Sequence, residues 1–379
     1  MLRFLFFVIA FASFKNSRAD SLYVKRITDT LSSKAFFGRG YLNNGMGMAA
    51  DFIASEMREI GLHVQKQPFS YPVNTFPAKT FFSINKKVLG PGSAFIPAPQ
   101  SSPCKGSGSL QKIDSTTFIN KENKLLVQTV DKLTWSVSPD QSGFANMIML
   151  HPSAIPLEYS CDVDAVIIKK FPAANIIGSI TGIVNPDSVI VFTAHYDHLG
   201  GLGDEVYFPG ANDNAAGVGM LLSLAKWYTA NPPPYTIKFI AFAGEEAGLL
   251  GSKYFTEHPV FPLKNISFLV NLDLVGNGEE GITVVNASLF PTAFALLNKK
   301  NDESHLINNI YSRGKAANSD HYWFAEKGVP SFFIYTMGKR KAYHDVEDIS
   351  SSMPYSEVND LQQLLVNFIL QVMKGNAKS

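Results

Sequence analysis

Cysteine is scarce: Cys104 and Cys161 are the only two in 379 residues, 57 positions apart and without CxxC spacing. That excludes a thiolate metal ribbon or a CxxC redox centre and leaves room for one disulfide in an oxidising compartment. Charge of one sign is lacking too, with 33 Lys and Arg against 32 Asp and Glu. No broad basic footprint is therefore available for a phosphate backbone, and nucleic acid is excluded as a partner class. Beyond the N-terminus no run of 18 uninterrupted apolar residues occurs, so nothing there reads as a membrane span. Repeats of 20 to 50 residues are missing, which argues against a solenoid or propeller. The glycines at 200, 201 and 203 precede no Gly-Lys-Ser/Thr, so they form no phosphate loop and read as slack in an active-site loop. What remains, 46% hydrophobic and 12% aromatic, describes a packed protein of one large domain or two ordinary ones.

The start of the chain reads as an export signal: Arg3, then an apolar run from Phe4 to Phe14, then small residues around Ser17-Arg18-Ala19. A run of eleven residues spans only about 16 Å as a helix, short of the ~30 Å hydrocarbon core, so a membrane anchor fits less well. Cleavage after Ala19 removes Arg3, Lys15 and Arg18 and no acid, leaving 30 basic against 32 acidic residues. The expected product is secreted or periplasmic, with no stable membrane insertion. Nothing in the sequence argues for a particular oligomeric state.

Four parts follow from the texture: the signal at 1–19, an N-terminal helical part at 20–73, a β-rich insertion at 74–165, and a catalytic part at 166–379. Residues 21–62 carry a helix-period apolar face through Ala49, Ile53, Met57 and Ile60. The insertion is marked by Pro72, Pro77, Pro91, Pro97, Pro99 and Pro103 and by short alternating runs. After Ala173, apolar strands at 188–194, 236–243, 266–272 and 329–335 alternate with helices at 215–228 and 247–257. A last helix carries Leu361, Leu364, Leu365, Phe368, Ile369 and Val372 on one face. This predicts an α/β three-layer sandwich with a mostly parallel, mixed central sheet.

In such a sheet the functional crevice lies at the carboxyl ends of the strands. Three strands end there in polar residues: His195-Tyr196-Asp197-His198, Gly244-Glu245-Glu246, and Asp273. Asp213 sits in Gly210-Ala211-Asn212-Asp213-Asn214, a turn that opens a helix, and Tyr343-His344 follows the strand at 329–335. Singly, each piece is an ordinary loop histidine or solvated acid. Together they offer only nitrogen and oxygen donors, which suits zinc, or less often manganese or cobalt.

The residues resemble the co-catalytic di-zinc exopeptidase family of bacterial leucyl aminopeptidases, related to glutamate carboxypeptidases and glutaminyl cyclases. The likeness rests on Gly38-Arg39-Gly40, His195-Tyr196-Asp197-His198, Pro209 to Asn214, Gly244 to Ser252, Asn271-Leu272-Asp273, Ser319-Asp320-His321 and Tyr343-His344. It covers roughly 36–65 and 173–370 and leaves the insertion unmatched. It implies two zinc ions per chain, with Asp213 bridging, His195 and Asp273 completing one site, and Glu246 and His344 the other. Glu245 would be the general base, and Asp197 the carboxylate that holds the His195 imidazole.

The activity so implied is hydrolysis of the N-terminal peptide bond of a peptide substrate. A carboxypeptidase is a minor variant of that reading. The rival is a single-zinc glutaminyl cyclase, which can keep the same ligand types; the peptidase-like neighbours, Ala247 to Ser252 and the Ala-Asn-Asp-Asn-Ala setting of Asp213, argue against it. A non-catalytic relative is expected to lose ligands, and none is lost. Asp320 could support the ligands. His198 and Asp204 are expected near the crevice without a metal role, and Tyr311 and Arg313 at the substrate mouth.

Overall fold

The computed structural model describes residues 21–375, so the expected export signal lies outside the described residues. Eight strands form the central sheet: β1 (His63–Thr75), β2 (Val166–Ile180), β3 (Asn185–His195), β4 (Tyr235–Phe242), β5 (Ile266–Leu272), β6 (Gly281–Val285), β7 (Ile310–Ser312) and β8 (Ser331–Met337). Their spatial order is β1-β2-β4-β3-β5-β8-β6-β7. The central four, β4-β3-β5-β8, are mutually parallel, while β1, β2 and β6 join antiparallel. The sheet is therefore mixed with a parallel heart, as expected.

Continuous apolar strands follow from burial on both faces. Ile190, Phe192 and Ala194 point one way, into a core shared with helices α1 (Ser21–Leu31), α2 (Gly45–Ile60), α3 (Ala216–Ala230) and α7 (Val358–Met373). Val189 and Val191 point the other way, toward Phe255 of α4 (Leu250–Glu257) and Phe324 of α6 (His321–Glu326). Two helical layers thus enclose one sheet. Helix α5 (Pro291–Ser304) joins the first layer through Ala293 and Leu297.

Two expected helices are shorter than their sequence suggests. The 21–62 stretch breaks between α1 and α2 into a turn at Lys34–Arg39, where Phe37, Gly38 and Arg39 all take positive φ. The 247–257 helix begins only at Leu250, because Gly248 (φ +108°) and Leu249 (φ +59°) are left-handed.

Between β1 and β2 the chain makes two small sheets. One holds Lys87–Leu89, Thr80–Ile84, Glu158–Val163 and Cys104–Ser109; the other Phe95–Pro97, Ala145–Leu150, Leu125–Val130, Thr117–Asn120 and Gln111–Lys112. Cys104 and Cys161 form a disulfide inside the first. Their shared core includes Leu199, Leu202 and Phe208, which belong to the loop after β3. The insertion is thus packed against that loop.

The loop is not slack. Gly200 to Gly203 are buried, and Gly201–Leu202 pairs with Val206–Tyr207. A Cβ on Gly38 would lie 2.2 Å from the Gly200 carbonyl oxygen, so these glycines serve close backbone packing. Among the described residues no helix is long and apolar enough to cross a membrane.

Candidate metal centre

Strand β3 has β4 on one side and β5 on the other, so the chain changes direction at β3 and opens a crevice at the strand ends. His195 is the last residue of β3, Glu245 and Glu246 follow β4, and Asp273 follows β5. Asp213 arrives on the turn before α3, with a cis peptide to Asn214, and His344 on the loop after β8. All six border one cluster.

His195 Nε2 lies 3.3 Å from Asp213 Oδ1 and 3.3 Å from Asp273 Oδ1. His344 Nε2 lies 3.1 Å from Asp213 Oδ2 and 3.2 Å from Glu246 Oε2. Asp213 thus presents one oxygen to each half. Donors that share a tetrahedral ion at about 2.0–2.1 Å stand roughly 3.3 Å apart, so both halves have the spacing of a divalent cation's ligands. Glu245 stands with His195 and Asp273, close enough for a donor atom of each to lie within 4.8 Å of the others.

The electrostatics point the same way. Burial alone would raise the Asp213 carboxyl, but hydrogen bonds to His195 and His344 hold it well below the carboxylate range. Burial and Asp213 likewise oppose ionisation of Glu246, yet His344 and His198 bring it down to about 2. His344 is raised to about 11, because Glu246 and Asp213 outweigh its burial. Burial pushes Glu245 well above its usual range; His195 opposes this, and Asp273 and Glu246 add to it. Four carboxylates share one buried pocket, a field that cations would satisfy.

The halves are held by different means. Ser319 donates to Asp273 Oδ2 at 2.9 Å and receives a hydrogen bond from Asn271, which also accepts from Thr193 of β3. On the other side, Trp135 of the insertion donates its N–H to the His344 carbonyl, and His344 Nδ1 donates to the Trp135 carbonyl, both at 2.9 Å. A carbonyl on the second nitrogen fixes a ligand imidazole's tautomer. The Asp197 carboxylate lies 3.8 Å from His195 Nδ1, beyond hydrogen-bond reach; the Asp197 backbone carbonyl meets that nitrogen instead, at 3.2 Å, while the carboxylate accepts from the backbone N–H groups of Glu245 and Glu246. Burial raises it to about 7.

Asp320 lies behind the cluster and accepts from Ser252, while the His321 ring packs on Phe333. Arg313 lines the cleft of about 240 Å³ together with Asn318, Tyr335 and Tyr343; Tyr311 and Asp204 do not. Two supports have no assigned role in the sequence reading. Arg39 is fully buried and donates to the carbonyls of Leu31, Tyr196, Pro209, Gly210 and Asp213. Asp348, also buried, accepts from the N–H groups of Asn212 and Asp213 and pairs with Arg340. An arginine between two glycines was the signal for the first.

Residues 175–369 match the model of peptidase family M28. The chain belongs to that family. Within M28 it is 30% identical over 214 residues to Aminopeptidase YwaD of Bacillus subtilis, covering 54% of this chain and 46% of that protein. It is 35% identical over 112 residues to a probable zinc metalloprotease of Pyricularia oryzae, covering 28% of this chain and 22% of that one. The chain therefore spans less than half the length of these relatives. Among solved structures, the zinc aminopeptidase BSAP of Bacillus subtilis superposes with a TM-score of 0.73 at 20% identity, over 94% of this chain and 96% of that one. An Acidobacteriales glutaminyl cyclase superposes at 0.60 and 15% identity over 97% and 99%. These structural likenesses show the fold.

Proposed function

We propose that this M28 protein is an exported zinc-dependent aminopeptidase that hydrolyses the N-terminal bond of peptides. The observation that carries the reading is Asp213, whose two oxygens face two imidazoles at 3.1–3.3 Å, each beside a further carboxylate. His195 and Asp273 would hold one zinc, Glu246 and His344 the other, with Asp213 shared. When bound, the ions supply Lewis acidity toward the scissile carbonyl and lower the pKa of the attacking water.

The chain's own groups do the rest. In this reading Glu245 is assigned to neither metal, which would leave its carboxylate to take the proton of the attacking water and deliver it to the leaving amine. Asp197 binds the backbone of both glutamates and so keeps the base and the ligand in register. The Cys104–Cys161 disulfide is what supports work in an oxidising, exported setting.

The test is metal content and amino-acid release from a peptide mixture, for wild type and Glu245→Gln, before and after chelation. Wild type is expected to hold two zincs and to release N-terminal residues in a chelator-sensitive way. Glu245→Gln is expected to keep both metals and lose about 10²–10⁴-fold in turnover. Normal turnover in that variant would overturn the base assignment, and cyclised glutamine products without amino-acid release would overturn the hydrolase.

A further inference from the structure

His198 follows His195 by three residues and is fully buried. Its ring sits on Gly210, where an added Cβ would come within 2.4 Å of Cδ2, so the turn carrying Asp213 is shaped around it. Its Nδ1 lies 2.6 Å from Glu246 Oε1, while the other oxygen, Oε2, lies 3.2 Å from His344 Nε2. One carboxylate therefore serves two different contacts. Two donors on one tetrahedral zinc would stand roughly 3.3–3.5 Å apart, and 2.6 Å is too short for that. It is the length of a charge-assisted hydrogen bond. His198 Nε2 is buried without a protein partner, so nothing competes for the Nδ1–H tautomer.

We propose that His198 is a positioning residue of the second metal site: its Nδ1–H pins Glu246 Oε1 and leaves Oε2 alone to face the cation shared with His344 and Asp213. This rests on the di-zinc reading above. Without the pin, Glu246 can rotate, chelate through both oxygens or turn away, and the second site loses its geometry. Outer partners of metal ligands typically contribute 10–100-fold in affinity.

The experiment titrates the metal-free full chain with zinc and with cobalt, following heat and cobalt visible absorption, for wild type, His198→Leu and His198→Asn. Leucine fills the space without a donor, whereas the asparagine amide nitrogen reaches the place of Nδ1. His198→Leu is expected to weaken one of two metal equivalents by about 10–100-fold and leave the other unchanged. His198→Asn is expected to stay within about threefold of wild type and to keep the wild-type cobalt spectrum. Unchanged affinity at both equivalents in His198→Leu would overturn the proposal. So would a His198→Asn chain as weak as His198→Leu with a shifted spectrum, since that marks direct ligation. If the leucine variant does not fold, the asparagine spectrum alone decides between pinning and ligation. A wild-type chain that binds no metal overturns the di-zinc reading itself, an outcome distinct from failure of the variants.

Discussion

His195 and Asp273 stand at the ends of adjacent parallel strands, whereas Glu246 and His344 stand on loops whose anchors lie elsewhere in the chain. The first pair is braced from beneath by Ser319, Asn271 and Thr193, side chains rooted in or beside the sheet. The second pair depends on His198, on the Trp135 backbone and on the insertion that carries it. Exposure separates the two histidines, 1% for His195 against 14% for His344, but not the carboxylates, 8% for Asp273 and 4% for Glu246. The first half of the cluster inherits its rigidity from the fold. The second has to be assembled, which makes it the half that distant changes can reach.

Arg39 lies beneath both halves, and removing it is the largest blow to the difference between them. Burial lowers its pKa to about 10, opposed by Asp213 and Asp348, so it stays charged at neutral pH while bonding only carbonyl oxygens. Arg39→Met leaves those buried carbonyls unpaired and is expected to cost about 3–5 kcal/mol, read as a lower urea midpoint. Both metal equivalents should weaken together. A loss below about 1 kcal/mol would mean that the loops hold themselves.

Removing the disulfide should separate the halves. Cys104 and Cys161 close a loop of 57 residues, and Cys104→Ala with Cys161→Ala is expected to cost about 2–4 kcal/mol. Hydrogen exchange should rise across 79–163 while the central strands keep their protection. Since Trp135 belongs to that region, the metal equivalent that involves His344 should weaken and the other should not. Equal weakening of both would show that the insertion does not act through His344.

The same contrast explains what can be read from the chain. The parallel strands are legible because burial on both faces demands continuous apolar runs, and the residues that end them stand out as the first polar ones. Convergence of His195, Asp213, Glu245, Glu246, Asp273 and His344 follows from that topology. The supports are not legible in the same way. Trp135 acts through its N–H and carbonyl, which every residue but proline has, and Asp348 lies in an acidic stretch that reads as solvated surface. Arg39 bonds to carbonyls spread over 8 to 174 positions along the chain, and no local pattern encodes such reach. The left-handed Leu249 that delays α4 is equally silent, since the Ala247 to Glu257 composition suits a helix.

The smallest expected effect tests the second half from outside. Lys132 pairs with Asp345 at 2.9 Å and donates to the Lys341 carbonyl, tying the insertion to the loop that carries His344. The lysine side chain is half exposed, so solvent screens the pair and Lys132→Ala is expected to cost no more than about 1 kcal/mol. Stability should hardly move, because the two Trp135–His344 hydrogen bonds persist without it. The metal equivalent at His344 should nevertheless weaken by about two- to fivefold, with the His195 equivalent unchanged. Raising the salt to about 1 M, where the screening length falls to ~3 Å, should bring wild type toward the variant. If wild type and Lys132→Ala already agree at low salt, the tie between insertion and metal loop is carried by the Trp135 backbone alone.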